Sequence, residues 1–245
     1  MKNKYIMLLV ISLIQSIFLF GCGGGGGGSS STTTPIGTSV NLGVIKSFAE
    51  ASGAPGTTIS FNLSGAVSNG AVSNNLIGTA SYTISQPTTT VISSVTTTVN
   101  VLQSTLSLTN TIANVTISGM STSYVLTTGY LYKEIVSGNG LPGPTVAPIS
   151  QTLLPATAKV GDSGNAITLS LSDGTTNAEI WRIDPGNNGD AIFVETTTTR
   201  DSLNNLQSTE SDAYTIKPDG TVSALSINVN DVSSGITINV SGNKI

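Results

Sequence analysis

Ile59-Ser60-Phe61-Asn62-Leu63 decides the fold class. Apolar side chains occupy every second position, and successive side chains of an extended strand point to opposite faces. The stretch therefore predicts a half-buried β-strand. Reading outward, the same alternation appears at Val40, Leu42 and Val44, at Tyr82 and Ile84, and at Val99 and Val101. Val115 and Ile117, then Tyr130 and Tyr132, continue it, and Ser68-Asn69-Gly70 is typical of the punctuation between runs. A helical reading fails because β-branched residues crowd every window and no stripe of 3.6-residue period persists. About seven short strands in roughly 100 residues predict an antiparallel β-sandwich of immunoglobulin-like size.

Further along, the pattern reads as a meander of hairpins. Ile167, Leu169 and Leu171 lead into Ser172-Asp173-Gly174, and Glu179–Ile183 and Ala191–Glu195 flank a turn-rich loop from Asp184 to Asp190. Tyr214 and Ile216 enter the Lys217-Pro218-Asp219-Gly220 turn, Val222–Val229 leaves it, and Ile236, Ile238 and Val240 make a last strand. Gly, Asn, Asp and Pro at these joints accept turn geometry. No helix is expected in the mature region.

Charge divides this β-rich chain in two. From Gly23 to Val160 the charged residues are Lys46, Glu50, Lys133, Glu134 and Lys159, whereas Gly161 to Ile245 carries eleven acidic and four basic residues. The shift coincides with the Pro/Gly-rich stretch Gly138 to Pro144, which is how a domain boundary reads. The expected organisation is a low-charge β-sandwich over 36–145 and an acidic antiparallel domain over 146–245.

Ahead of these, Lys2 and Lys4 precede an apolar run from Ile6 to Phe20, the charged and hydrophobic regions of a secretory signal. The run ends in Leu19-Phe20-Gly21-Cys22, which resembles the lipobox of bacterial lipoproteins. The resemblance implies a signal peptide over 1–21, cleavage before Cys22, diacylglycerol on its sulfur and acylation of the new amino terminus. Gly23 in place of Asp resembles the pattern that sends Gram-negative lipoproteins to the outer membrane. Residues 22–35 then read as the lipidated cysteine and a Gly/Ser/Thr tether, a flexible coil spanning roughly 20 Å.

Composition excludes several chemistries. There is no histidine, so triads and imidazole metal sites are closed off, and the single cysteine is assigned to lipid. Without Lys2 and Lys4 the mature chain has seven basic against thirteen acidic residues. No basic patch for nucleic acid exists. Stable anchoring comes instead from two or more acyl chains on Cys22.

Three candidate sites remain. Asp184, Asn187 and Asp190 offer oxygen ligands of the kind calcium takes, although their spacing departs from the EF-hand and a plain hairpin loop explains them as well. Trp181 and Tyr214 are candidates for a glycan-stacking platform, set against a core role. Glu179, Asp190, Glu195, Glu210 and Asp212 could supply the carboxylate pair of a hydrolase, against the reading that acids guard exposed strand edges. Ser241-Gly242-Asn243-Lys244 matches Ser-x-x-Lys, but the companion Ser-Asp-Asn and Lys-Thr-Gly elements are missing.

The resulting expectation is an envelope lipoprotein without enzymatic activity or firm cofactor, binding or scaffolding another envelope component. A glycan-binding adhesion module, with or without calcium, and a carboxylate hydrolase are the alternatives. The Thr runs at 88–90, 96–98 and 196–199 and the scarcity of charge leave strand edges open to self-association.

Overall fold

A computed structural model describes residues 39–245 apart from Ala71 and Gly140, with the side chains of Leu141 and Pro142 also undescribed. The segments expected as signal and tether, with Cys22, lie outside the described residues. Strands β1 (Ser39–Asn41), β2 (Thr58–Asn69), β3 (Val72–Ile92), β4 (Val95–Asn110), β5 (Val115–Leu126), β6 (Leu131–Gly138) and β7 (Leu141–Gln151) come first. Then follow β8 (Thr157–Lys159), β9 (Ser163–Leu171), β10 (Thr176–Pro185), β11 (Ala191–Arg200), β12 (Leu206–Ile216), β13 (Val222–Asp231) and β14 (Ile236–Asn243). One helix, α1 (Gly43–Ala49), lies between β1 and β2.

The all-β class holds, but the architecture is a closed barrel of twelve antiparallel strands, not a sandwich followed by a meander. Its closure joins β14 to β2 and β9 to both β7 and β10. Alternation specifies one buried and one wet face for each strand. A sheet curled on itself satisfies that as well as two stacked sheets do. Residue 145 lies within β7, paired to Ile135 of β6.

Inside and outside are cleanly sorted. On β2, Ile59, Phe61 and Leu63 are buried, while Thr58, Asn62 and Ser64 are exposed. On β13, Leu225, Ile227 and Val229 are buried and Ser226, Asn228 and Asn230 exposed. Outer hydroxyls pair across strands: Thr58–Thr83, Ser60–Ser81 and Thr196–Ser211 each at 3.0 Å, and Thr109–Thr116 at 2.9 Å. The outer wall in these places is hydroxyl and amide, while Ile77, Met120, Ile135 and Ile180 stand exposed elsewhere on it. Among the described residues no helix is long and apolar enough to cross a membrane.

Close approach of neighbouring backbones within the barrel requires glycine at two places. A Cβ on Gly65 would stand 1.9 Å from the Asn239 carbonyl oxygen, and one on Gly78 1.8 Å from that of Ser107. Removing the side chain lets neighbouring backbones bend past each other.

Twelve strands enclose more space than their own side chains fill, since an eight-stranded barrel is the size just filled that way. Helix α1 supplies part of the difference. The alternation at Val40, Leu42 and Val44 predicts a strand, but β1 stops at Asn41, whose Oδ1 accepts from the Gly43 amide at 2.8 Å and turns the chain. The seven-residue helix then buries Ile45, Phe48 and Ala49 in the same core as the barrel strands. Lys46 Nζ donates to the Leu154 carbonyl at 2.9 Å and pairs with Glu50, fixing the helix across one mouth.

Candidate functional site

The interior is layered along the axis. Nearest α1 lie Ile183, Ala191, Ile216 and Val222, and the next layer is aromatic. Trp181 stacks on Phe193 with ring centroids 6.3 Å apart, Phe193 meets Tyr214 at 6.3 Å, and Phe61 meets Tyr214 at 6.5 Å and Tyr82 at 6.3 Å. Trp181 and Tyr214 are thus brought into one cluster, but inside the wall: Tyr214 is fully buried and Trp181 is 8 % exposed. They form no outward stacking platform.

Above the aromatics the interior turns acidic. Inward positions lie two residues apart on a strand, so Glu179 follows Trp181 on β10, Glu195 follows Phe193 on β11, and Asp212 and Glu210 follow Tyr214 on β12. Register places Glu195 opposite Asp212, and Thr197 between Glu179 and Glu210. Glu134 joins them from β6, its Oε1 accepting from Ser123 Oγ at 3.4 Å. All five carboxyls are at most 2 % exposed. Four of the five acids named from sequence as carboxylate-pair candidates come together here, inside the barrel and away from any strand edge. The fifth, Asp190, lies outside this group.

Burial governs the chemistry of this layer. It raises the Glu134 carboxyl to about 7, with hydrogen bonds from Ser121 and Ser123 opposing the rise. It raises Asp212 to about 8 and pushes Glu179 well up, the charges of Glu195 and Glu134 adding to the latter. The phenols of Tyr82 and Tyr214 are pushed far above their ordinary range by burial, with Asp212 contributing to both. A low-dielectric interior favours the neutral form of Glu134, Glu179 and Asp212.

The Asp184–Asp190 connection is built as a salt-bridged loop. Arg182 Nε donates to both Asp184 oxygens at 3.0 and 2.9 Å, and Lys217 Nζ reaches Asp190 Oδ2 at 2.8 Å. Asn188 and Gly189 turn it with φ of 56° and 84°. Among the described residues no three His, Cys, Asp or Glu side chains could hold one metal ion. In this conformation the Asp184 and Asp190 carboxylates are engaged by Arg182 and Lys217.

Sequence reasoning missed that the acids face inward. Parity carried the signal, because Glu179, Glu195 and Asp212 share the register of Trp181, Phe193 and Tyr214. Glu134 shares the parity of Tyr130 and Tyr132, while the β5–β6 pairing shift between Tyr124 and Val125 buries Leu131 out of that phase.

A second feature lies outside the wall. Pairing of β3 to β2 stops at Thr83, and pairing of β4 to β5 starts at Val99. Beyond a pairing shift between Ser85 and Thr88, Thr89–Ile92 and Val95–Thr98 pair only with each other, as a two-stranded arm turned by Ser93 and Ser94 at φ of 48° and 68°. Val91 and Val95 at its tip are each 63 % exposed. No protein-family model matches the chain, and no curated protein or solved structure matches it.

Proposed function

We propose that the chain is a membrane-tethered, non-enzymatic scaffold module of the bacterial envelope, anchored through acyl groups on Cys22 and assembling by strand pairing through the Thr89–Thr98 arm. One observation carries the assembly: barrel closure uses up the edges of twelve strands, yet the arm keeps two unpaired ones. Such edges template pairing unless charge, proline or a bulge blunts them. Thr88-Thr89-Thr90-Val91-Ile92-Ser93-Ser94-Val95-Thr96-Thr97-Thr98 holds no charged residue and no proline, and reads almost alike in both directions. A two-fold antiparallel contact between copies sets Thr and Val against Thr and Val, with no charge opposed to charge.

The glycan and hydrolase readings lack comparable support. Their residues Trp181, Tyr214, Glu179 and Glu195 are buried within the barrel.

Thr89→Cys tests the assembly in the full-length protein. With Cys22 lipidated, oxidation should link the arm cysteines into a covalent dimer, while Thr209→Cys on the outer wall should stay monomeric. Adding Val91→Lys should abolish the link. Equal cross-linking at both positions, or none at either, would overturn the reading. Palmitate labelling lost in Cys22→Ala checks the anchor, and protease shaving of cells carrying a tag after Ile245 assigns the side of the membrane.

A further inference from the structure

The outer face of strands β4 to β6 has a shape and a chemistry that the core does not require. An open groove of about 260 Å³ lies between Thr105 and Ser107 of β4, Ser118 and Met120 of β5, Ser137 of β6 and Asn139 just past it. Asn139 is held across one end, its Oδ1 accepting from the Ser118 amide at 2.9 Å and its own backbone amide donating to the Ser118 carbonyl at 2.8 Å. Apart from Met120, these side chains carry hydroxyl or amide groups.

The same face continues toward the mouth closed by α1. Outward positions on β5 are Ser118, Met120, Thr122 and Tyr124. Register sets Gln103 and Ile135 beside Thr122, and Lys133 beside Tyr124. Four rows of outward side chains thus run about 20 Å along β5. At the far end Lys133 Nζ stands 4.8 Å from the Tyr124 ring centroid and 5.8 Å from that of Tyr132. Tyr130 precedes β6 in the adjoining turn, so the described tyrosines outside the core, Tyr124, Tyr130 and Tyr132, all gather on this hairpin.

Charge and ring chemistry select the ligand. Lys133 is the one charge on the outer face of β3 to β6, since Glu134 is fully buried, and no carboxylate among the described residues forms an ion pair with it. Tyrosine rings fix an ammonium in place while leaving it donors for an anion. Each ring also presents a flat apolar face and a polar edge. That combination suits the C–H face and the hydroxyls of a sugar. A row of hydroxyls and amides that ends at aromatic rings and a single cation therefore fits a carbohydrate chain bearing carboxylates. Nucleic acid would require several cations on this face.

We propose that the outer face of β4–β6 binds an acidic oligosaccharide of the uronic acid type, laid along β5. One carboxylate meets Lys133, a sugar ring lies against Tyr124 and Tyr132, and further sugars occupy the groove between Thr105 and Asn139. The site is separate from the buried Trp181 and Tyr214, and it does not depend on pairing of copies through the arm.

Tetragalacturonate and a mannuronate tetramer are the probes, titrated by calorimetry into the full-length protein in detergent at pH 7 and low salt. Saturable binding of at least one, weakening as salt is raised, is expected. Lys133→Gln and, separately, Tyr124→Ala should each raise its Kd at least tenfold, while Lys244→Gln, which removes a cation elsewhere on the barrel, should leave it unchanged. Melting temperatures check that the variants fold, and should Tyr124→Ala not fold, Lys133→Gln reads the same site. Equal weakening by Lys244→Gln would mean diffuse attraction to charge and would overturn the proposal. So would equal binding of neutral maltotetraose, an unchanged Kd in Lys133→Gln, or no binding of either probe.

Discussion

Glu195 of β11 and Asp212 of β12 stand directly opposite each other on the inner face of the barrel, two acids at a cross-strand pair. Like charges so placed destabilise a sheet when ionised. Asp212→Asn keeps the shape and removes one ionisation, so it should stabilise the barrel above pH 7. Urea unfolding at pH 8 should show a higher midpoint for the variant, and at pH 4 the two proteins should converge.

Glu134 gives the pH dependence its clearest single contribution. Burial raises its carboxyl from 4.5 to about 7, so the folded state holds the proton more tightly than the unfolded chain does. Its contribution is present in full below about pH 4.5 and is lost as pH rises through about 7, because only the unfolded chain releases the proton freely. The loss amounts to about 3 kcal/mol at 1.36 kcal/mol per pH unit. Glu134→Gln should flatten this part of the stability profile, measured by denaturant unfolding at intervals from pH 4 to 8.

Gly78→Ala should destabilise severely. Its Cβ would fall 1.8 Å from a backbone oxygen of β4, which only strand displacement can relieve. Overpacking of this kind costs about 1–3 kcal/mol or more. Ser81→Ala, on the outer face of the same strand, should cost under about 1 kcal/mol as a lost hydroxyl pair. Comparing their urea midpoints checks the claim.

Trp181 is the only tryptophan, stacked on Phe193 and opposite Glu195 in register. Native emission should be blue-shifted and protected from acrylamide, shifting red on unfolding. Phe193→Ala, at the centre of the aromatic layer, should cost about 3–5 kcal/mol.

Calcium chelation should leave the melting temperature unchanged. The carboxylates of Asp184 and Asp190 are already engaged by Arg182 and Lys217. Differential scanning with and without EGTA reads this directly.

Strands were legible from Ile59, Phe61 and Leu63 and their like, because period-two burial is written locally. Closure was not legible. Ser64 pairs with Ser241 and Ser150 with Thr168, and residue spacing does not encode which strands become neighbours. Alternation reports that a face is dry without saying whether another sheet or the sheet's own far side dries it. The acids show the same limit from the other direction. Read by composition they belonged on an edge, and read by the parity of Trp181, Phe193 and Tyr214 they belonged inside. Of the eleven acids after Gly161, Glu179, Glu195, Glu210, Asp212 and Asp231 are buried in the barrel shared with the low-charge strands, and the other six are at least partly exposed.

The β2–β14 seam joins segments that most of the described chain separates. Contacts of such long sequence separation form late, since the loop between them must first be closed at an entropic cost. Until Ile236–Asn243 reaches its place, β2 and β13 each expose a long bare edge, the form most prone to pair wrongly. Folding of this molecule is therefore committed by its last strand, and a chain still lacking that strand stays foldable only while those two edges are kept apart from other chains.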